Sequence, residues 1–186
     1  MINRDIIIKE PPCNRDPLAG FSFRTELLDI VANTAPKEVK GPYIDTFSGF
    51  GAVANLFIER GIVQPQEVIC VDCCKPGNED LVKIPINQWR YWNLERLVTN
   101  ITLQPENLPS EVTELKGKAG IFTALQAEGF GPHWIARIAN YVLKPGGHAV
   151  IDYPSDLEWK SKSHFPQSYF GSLRPLQNNH IWWIKE

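Results

Sequence analysis

Residues 43–54 read YIDTFSGFGAVA, and residues 67–72 read EVICVD. The first stretch is a short apolar run that ends in an acid and two glycines one residue apart. Ala52, Val53, Leu56, Phe57 and Ile58 then recur near a spacing of 3.6, which predicts a helix that Gly61 closes. The second stretch is a continuous apolar run of the kind buried on both faces of a parallel sheet. Strand, glycine loop, helix and strand make a βαβ unit, so the fold class is α/β.

The rest of the chain extends this alternation. The segment NQWRYWNLERLVTNI reads as an amphipathic helix with Trp89, Trp92 and Leu97 inward, after a short third strand in DLVKIPI. TLQPENLPSEVTEL reads as loop or short helix, and AGIFTAL (119–125) as the next strand. PHWIARIANYVL carries Trp134, Ile135, Ile138 and Val142 at helical spacing, KPGG closes that helix, and HAVIDY is a further buried strand. SLRPLQNNHIWWIKE reads as two strands joined at Asn178-Asn179, a hairpin turn pair. The expected architecture is a three-layer, Rossmann-like α/β sheet, mostly parallel, with an antiparallel C-terminal hairpin. Residues 41–186 form this unit. Residues 1–40 are read as a cap segment, irregular and Pro-rich to about residue 20, then a helix from an N-cap at Ser22 to a stop at Pro36.

Composition narrows the function classes. The chain has 186 residues, 43% hydrophobic and 22% charged, enough for one domain with its own core. Its net charge is −2 with no Lys/Arg run, which disfavours a partner held through phosphate neutralisation, so nucleic acid ranks below other partners. No stretch approaches the roughly 18 apolar residues that span a bilayer. The N-terminus lacks the pattern of a secretory signal, so the expected location is cytoplasmic, with no membrane partner. The sequence sets no oligomeric state. CVDCC contains one C-x-x-C, Cys70 to Cys73, but no second pair or His pair completes a tetrahedral site, so no metal is expected.

The glycine loop admits several ligands. Gly49, Gly51 and Ala54 satisfy G-x-G-x-x-[GA], and Asp72 follows Gly51 by twenty-one residues at the end of the second strand. That pattern fits any nucleoside-binding α/β fold: glycines let the backbone approach the ligand, and a strand-end acid accepts ribose hydroxyls. Asp45 separates the ligands. A dinucleotide places its pyrophosphate over the helix N-terminus, where a carboxylate four residues before the first glycine repels it. S-Adenosylmethionine carries no phosphate and has a positive amino group and a positive sulfonium, which the acid suits.

DTFSGFGA resembles motif I of the class I S-adenosylmethionine-dependent methyltransferases, in its D-x-F-S-G-x-G form. ANYVLKPGGHAVIDY resembles that family's helix, L-K-P-G-G turn and fifth strand, and NNHIWWIKE resembles the antiparallel strand that ends its sheet. The resemblance covers residues 40–186. It implies S-adenosylmethionine as cofactor, with Asp45, Phe47, Ser48, Gly49, Gly51 and Asp72 as cofactor-binding residues and Asp72 on the ribose. It also implies methyl transfer, to a small molecule or a protein side chain. Glu128 falls near the family's short Glu-containing segment after the fourth strand and is a candidate catalytic residue. His133, at the start of a helix, is another, because a neutral imidazole suits a base. Tyr153 and Asp156 follow the fifth strand, at the edge where ligands gather in open α/β folds, and are acceptor-side candidates.

Departures from the family limit the substrate. No [DNS]-P-P-[YFW] follows the fourth strand, so methylation of base amino groups is not supported. Pro12-Cys13 is the only Pro-Cys and lies upstream of motif I, unlike the nucleophile of cytosine C5 enzymes. Ala119-Gly120 stands where the family usually opens the fourth strand with an acid. Three alternatives therefore stay open: a non-catalytic interaction or sensing module on the same fold, an NAD(P)-dependent oxidoreductase, and an enzyme that uses S-adenosylmethionine without methyl transfer.

Overall fold

The computed structural model describes residues 6–11, 32–33, 35–36, 40–75, 84–125, 131–152, 172–176 and 180–185. Among the described residues seven strands form one sheet: β1 (Tyr43–Thr46), β2 (Val68–Asp72), β3 (Trp89–Tyr91), β4 (Ala119–Ala124), β5 (Leu143–Asp152), β6 (Ser172–Leu176) and β7 (His180–Ile184). Their order is β3-β2-β1-β4-β5-β7-β6. The first five are parallel, and β7 pairs antiparallel with both β5 and β6. Residues 177–179, which hold the expected Asn-Asn turn, lie outside the described residues.

The period of two along each strand sorts the core into two layers. Tyr43, Cys70, Ile121 and Val150 pack on one face with Val53, Ala54 and Phe57 of helix α1 (Ala52–Glu59). Their neighbours Ile44, Val71, Phe122 and Ile151 pack on the other face. There they meet Leu94, Leu97 and Val98 of α2 (Leu94–Leu103) and Ile135, Ile138, Ala139 and Val142 of α4 (Pro132–Val142). A short helix α3 (Ser110–Thr113) adds Val112 to this second layer. Strands buried on both faces between helices are why the sequence reads as near-continuous apolar runs.

Four local expectations are corrected. The helix expected from residue 87 begins only at Leu94: Trp89–Tyr91 is strand β3, paired with Cys70–Asp72. Aromatic side chains suit a pleated surface, and Asn93 starts the helix by accepting the N–H of Arg96 at 3.1 Å. Trp89 and Trp92 are nonetheless buried. Among the described residues the third strand is Trp89–Tyr91; of DLVKIPI, where a strand was expected, residues 80–83 lie outside the described residues, and Ile84 is buried outside any strand.

KPGG is no simple turn but a bulge within β5. Leu143 pairs with Ala119 and His148 with Ile121, so the residues between them loop out against Gly120 alone. Gly146 takes a φ of 76°, and its N–H reaches the Lys185 carbonyl at 2.7 Å. Trp134, expected inward, is 37% exposed, while Ile135, Ile138 and Val142 turn to the core. One more residue of rotation at the first turn of α4 carries Trp134 past the apolar stripe.

The N-terminal segment also contributes to the domain it was expected only to cap. Ile8 donates its N–H to the Tyr91 carbonyl and Asn93 donates to the Ile6 carbonyl, both at 2.7 Å. Ile6 is buried in the α2/α4 layer. Ala32 and Asn33 are helical, and the rest of the expected helix from Ser22 lies outside the described residues apart from Ala35 and Pro36, which are not helical.

Candidate functional site

The sheet changes direction at β1. β2 and β3 lie on one side and β4 and β5 on the other, which opens a crevice at the carboxyl ends of β1 and β4. Ligands of open α/β sheets bind at such a switch point. The loop that fills this edge, residues 47–51, carries three left-handed residues: Phe47 (φ 59°), Gly49 (φ 54°) and Gly51 (φ 73°). Left-handed backbone is natural for glycine and costs a β-substituted residue about 1–2 kcal/mol, so Phe47 marks a strained turn at the strand end.

The loop is anchored from beneath. The Ser48 hydroxyl shares its one proton between the Asp45 carbonyl at 2.7 Å and the Val71 carbonyl at 3.1 Å, which ties the turn to both strands. Phe47 packs against the α2/α4 layer. A Cβ on Gly49 would meet nothing within 4 Å, whereas one on Gly51 would press on Ile84 Cδ1 at 2.9 Å. Gly49 therefore leaves the open side of the loop clear, and Gly51 is required by close approach as well as by its backbone.

Asp45 occupies the centre. It is buried on the α1 face of β1, two residues from Tyr43 and directly across from Thr123 of β4. Thr123 donates to Asp45 Oδ1 at 2.5 Å, and the Tyr43 hydroxyl joins Thr123 at 2.6 Å. Asp45 Oδ2 is buried with no hydrogen-bond partner among the described residues. Burial pushes the Asp45 carboxyl from 3.8 up to about 7; the Thr123 and Tyr43 hydroxyls pull it down and the charge of Asp72 adds to the rise. The same burial raises Tyr43 well above the ordinary phenol, helped by Asp45.

Asp72 closes the other side of the loop. Its Oδ2 accepts the Gly49 N–H at 3.0 Å, and its Oδ1 accepts the N–H groups of Cys73 at 2.7 Å and Cys74 at 3.2 Å. It is buried at the end of β2, the position the sequence assigned to it. Cys70 is core filler on the α1 face, where burial raises its thiol.

The structure thus brings together Asp45, Phe47, Ser48, Gly49, Gly51 and Asp72. His133 sits in the first turn of α4, which follows the carboxyl end of β4. Glu128, Tyr153 and Asp156 lie outside the described residues. Tyr43 and Thr123 were missed, although a Thr inside the apolar run AGIFTAL must find a polar partner when buried, which was the available signal. Asn55, one turn into α1 with a buried Oδ1 unpartnered among the described residues, was missed too. No helix of the described residues is long and apolar enough to cross a membrane.

Five parallel strands in the order 3-2-1-4-5, an antiparallel seventh strand inserted before the sixth, and a glycine loop at the β1 switch point decide the architecture. The fold is a Rossmann-like α/β sheet, parallel over five strands with an antiparallel end. No protein-family model matches the chain, and no curated protein matches it. Solved structures of methyltransferases are similar to it in part. A SAM-dependent methyltransferase from Thiobacillus denitrificans, in complex with S-adenosyl-L-homocysteine, is 14% identical over 75% of this chain and 50% of its own, with a TM-score of 0.45. A geranyl diphosphate methyltransferase, in complex with GPP and sinefungin, is 15% identical over 68% of this chain and 44% of its own, with a TM-score of 0.49. A SAM dependent methyltransferase from Archaeoglobus fulgidus is 16% identical over 71% and 54%, with a TM-score of 0.44. The chain spans about half the length of these proteins.

Proposed function

We propose that the protein binds S-adenosylmethionine at the β1 switch point and transfers its methyl group to a small molecule or a protein side chain. The single observation that carries this reading is the buried Oδ2 of Asp45, unpartnered among the described residues, beside a left-handed glycine loop. A carboxylate oxygen kept out of water without a donor is costly unless a ligand completes it. The amino group and sulfonium of the cofactor offer the positive charge it lacks, and a pyrophosphate offers the opposite. Asp45 would hold the positive end of the cofactor, the clear side of Gly49 would admit its backbone approach, and Asp72 would share its carboxylate between the loop N–H groups and the ribose hydroxyls. When bound, the cofactor supplies a methyl group already activated by the sulfonium.

Positioning of the acceptor then contributes much of the catalysis, and a dedicated base is not obligatory. Glu128 and His133 are the residues proposed to assist proton removal, and Tyr153 and Asp156 to face the acceptor. Residues 1–40 are proposed to cover the acceptor side. Deleting the segment from residue 12 to residue 36 without a change in any ligand affinity would remove that role.

Calorimetric titration with S-adenosylmethionine and S-adenosylhomocysteine, with NAD as control and Asp45→Ala as comparator, tests the reading. Micromolar binding of the first two that is lost in Asp45→Ala is the expected result. Preferential binding of NAD would make the protein an oxidoreductase, and no binding of any nucleoside would leave the fold as an interaction module. Product analysis with an acceptor panel then separates methyl transfer from other uses of the cofactor.

A further inference from the structure

The turn after β2 assembles a second group of donors. Cys73 and Cys74 are both partly exposed, and their sulfur atoms lie 3.5 Å apart. Neither belongs to the core, unlike Cys70. A carboxylate oxygen of Asp72 and the two sulfurs all fall within 4.8 Å of one another. We propose that Asp72, Cys73 and Cys74 form a binding site for a thiophilic divalent cation of the Zn(II) class.

Three observations support this. The first is distance. A disulfide needs sulfurs about 2.05 Å apart, whereas two thiolates sharing one ion at about 2.3 Å and lying 3.5 Å from each other subtend about 100° at the ion, close to the tetrahedral angle. The pair has the separation of a chelate.

The second is preorganisation. Consecutive residues of an extended chain send their side chains to opposite faces. Here the N–H groups of Cys73 and Cys74 converge on one oxygen, Asp72 Oδ1. That shared acceptor curls the backbone and lets both thiols come to one side.

The third is chemistry and access. Two thiolates and one carboxylate carry three negative charges and suit a borderline-soft d¹⁰ cation rather than Mg²⁺ or Ca²⁺, which take oxygen ligands. Three protein ligands leave the fourth tetrahedral position to water or another donor. Both cysteines are partly exposed, on the side from which an ion would enter. The site was not visible as C-x-x-C because the pair that forms it is adjacent, and the first cysteine of C-x-x-C points into the core.

The full-length, reduced chain is titrated with Cd(II), a spectroscopic stand-in for Zn(II), and the ultraviolet thiolate-to-Cd(II) charge-transfer absorbance is followed. One ion per chain with two thiolates' worth of absorbance is expected, with competition by Zn(II) and no competition by Mg²⁺. Cys73→Ser and Cys74→Ser each lower the affinity by about tenfold or more and halve the absorbance, since even the loss of an outer-shell contact costs about tenfold. Cys13→Ser and Cys70→Ser leave both unchanged. Circular dichroism confirms that each variant is folded before it is scored. Absence of the band in the parent chain, its full retention in the Cys73→Ser/Cys74→Ser double variant, or its loss in folded Cys13→Ser would each overturn the site. None of these readouts depends on S-adenosylmethionine.

Discussion

Replacing Asp45 by Asn is expected to stabilise the ligand-free protein at neutral and alkaline pH while abolishing cofactor binding. The carboxyl ionises near 3.8 when exposed and at about 7 in the folded chain, because burial penalises the charged form more than the Thr123 and Tyr43 hydroxyls help it. Between those values the folded state keeps a proton that the unfolded state has released. Stability therefore falls as pH rises across that window and stays at its lower value above it. A difference of about three pH units is worth at most about 4 kcal/mol, at 1.36 kcal/mol for each unit.

Asn is isosteric with the protonated acid and never ionises. The variant should match the parent below about pH 4 and exceed it by up to about 4 kcal/mol above about pH 7. Urea denaturation at a series of pH values, with the stability difference plotted against pH, isolates this group from others. His148, for example, is lowered by burial and contributes stability that grows with pH through its unfolded value, the opposite direction. Because His148 is common to both proteins, it cancels in the difference. A flat difference between about pH 4 and pH 8 would refute the claim that Asp45 is a buried acid held for a cationic ligand.

The same carboxyl makes cofactor affinity depend on pH: S-adenosylmethionine should bind up to about tenfold more tightly for each pH unit up to about 7 and level off above it, as titrations at several pH values would register. Thr123→Val removes the donor to Asp45 Oδ1 and should cost about 1–3 kcal/mol above pH 7, with a further rise in the Asp45 midpoint, read by the same denaturation series. Gly51→Ala forces an L-residue into a φ of 73° with its Cβ against Ile84, so a loss of about 1–2 kcal/mol is expected together with weaker S-adenosylhomocysteine binding. Ile6→Ala should cost about 2–4 kcal/mol in urea; an unchanged midpoint would show that the N-terminal segment is not part of the folded core.

Much of the architecture is legible because it is written in short-range spacing. The apolar runs of β2 and β4, the 3.6-residue stripe of α1, and Gly61 at the end of that helix are each set within a few residues. The glycine pair and Asp72 belong to the same class. Only glycine enters the left-handed region freely where the backbone must turn and approach a ligand, so its spacing carries through to the site. Asp45 was legible for its charge: a carboxylate at that strand end repels a pyrophosphate and suits a cation, whatever its neighbours are.

Other features depend on which elements meet. Aromatic and amphipathic patterns both fit residues 87–93, and pairing of Trp89–Tyr91 with β2 decides for a strand. Trp134 satisfies a helical stripe on paper, but the seat of α4 on the sheet turns it to solvent. The bonds of Thr123 to Tyr43 and to Asp45 join residues about eighty positions apart and exist only through the β1–β4 register. Local periodicity determined the elements and their order. Strand register and helix seating, which act between residues distant in sequence, determined which polar atoms are buried and left for a partner.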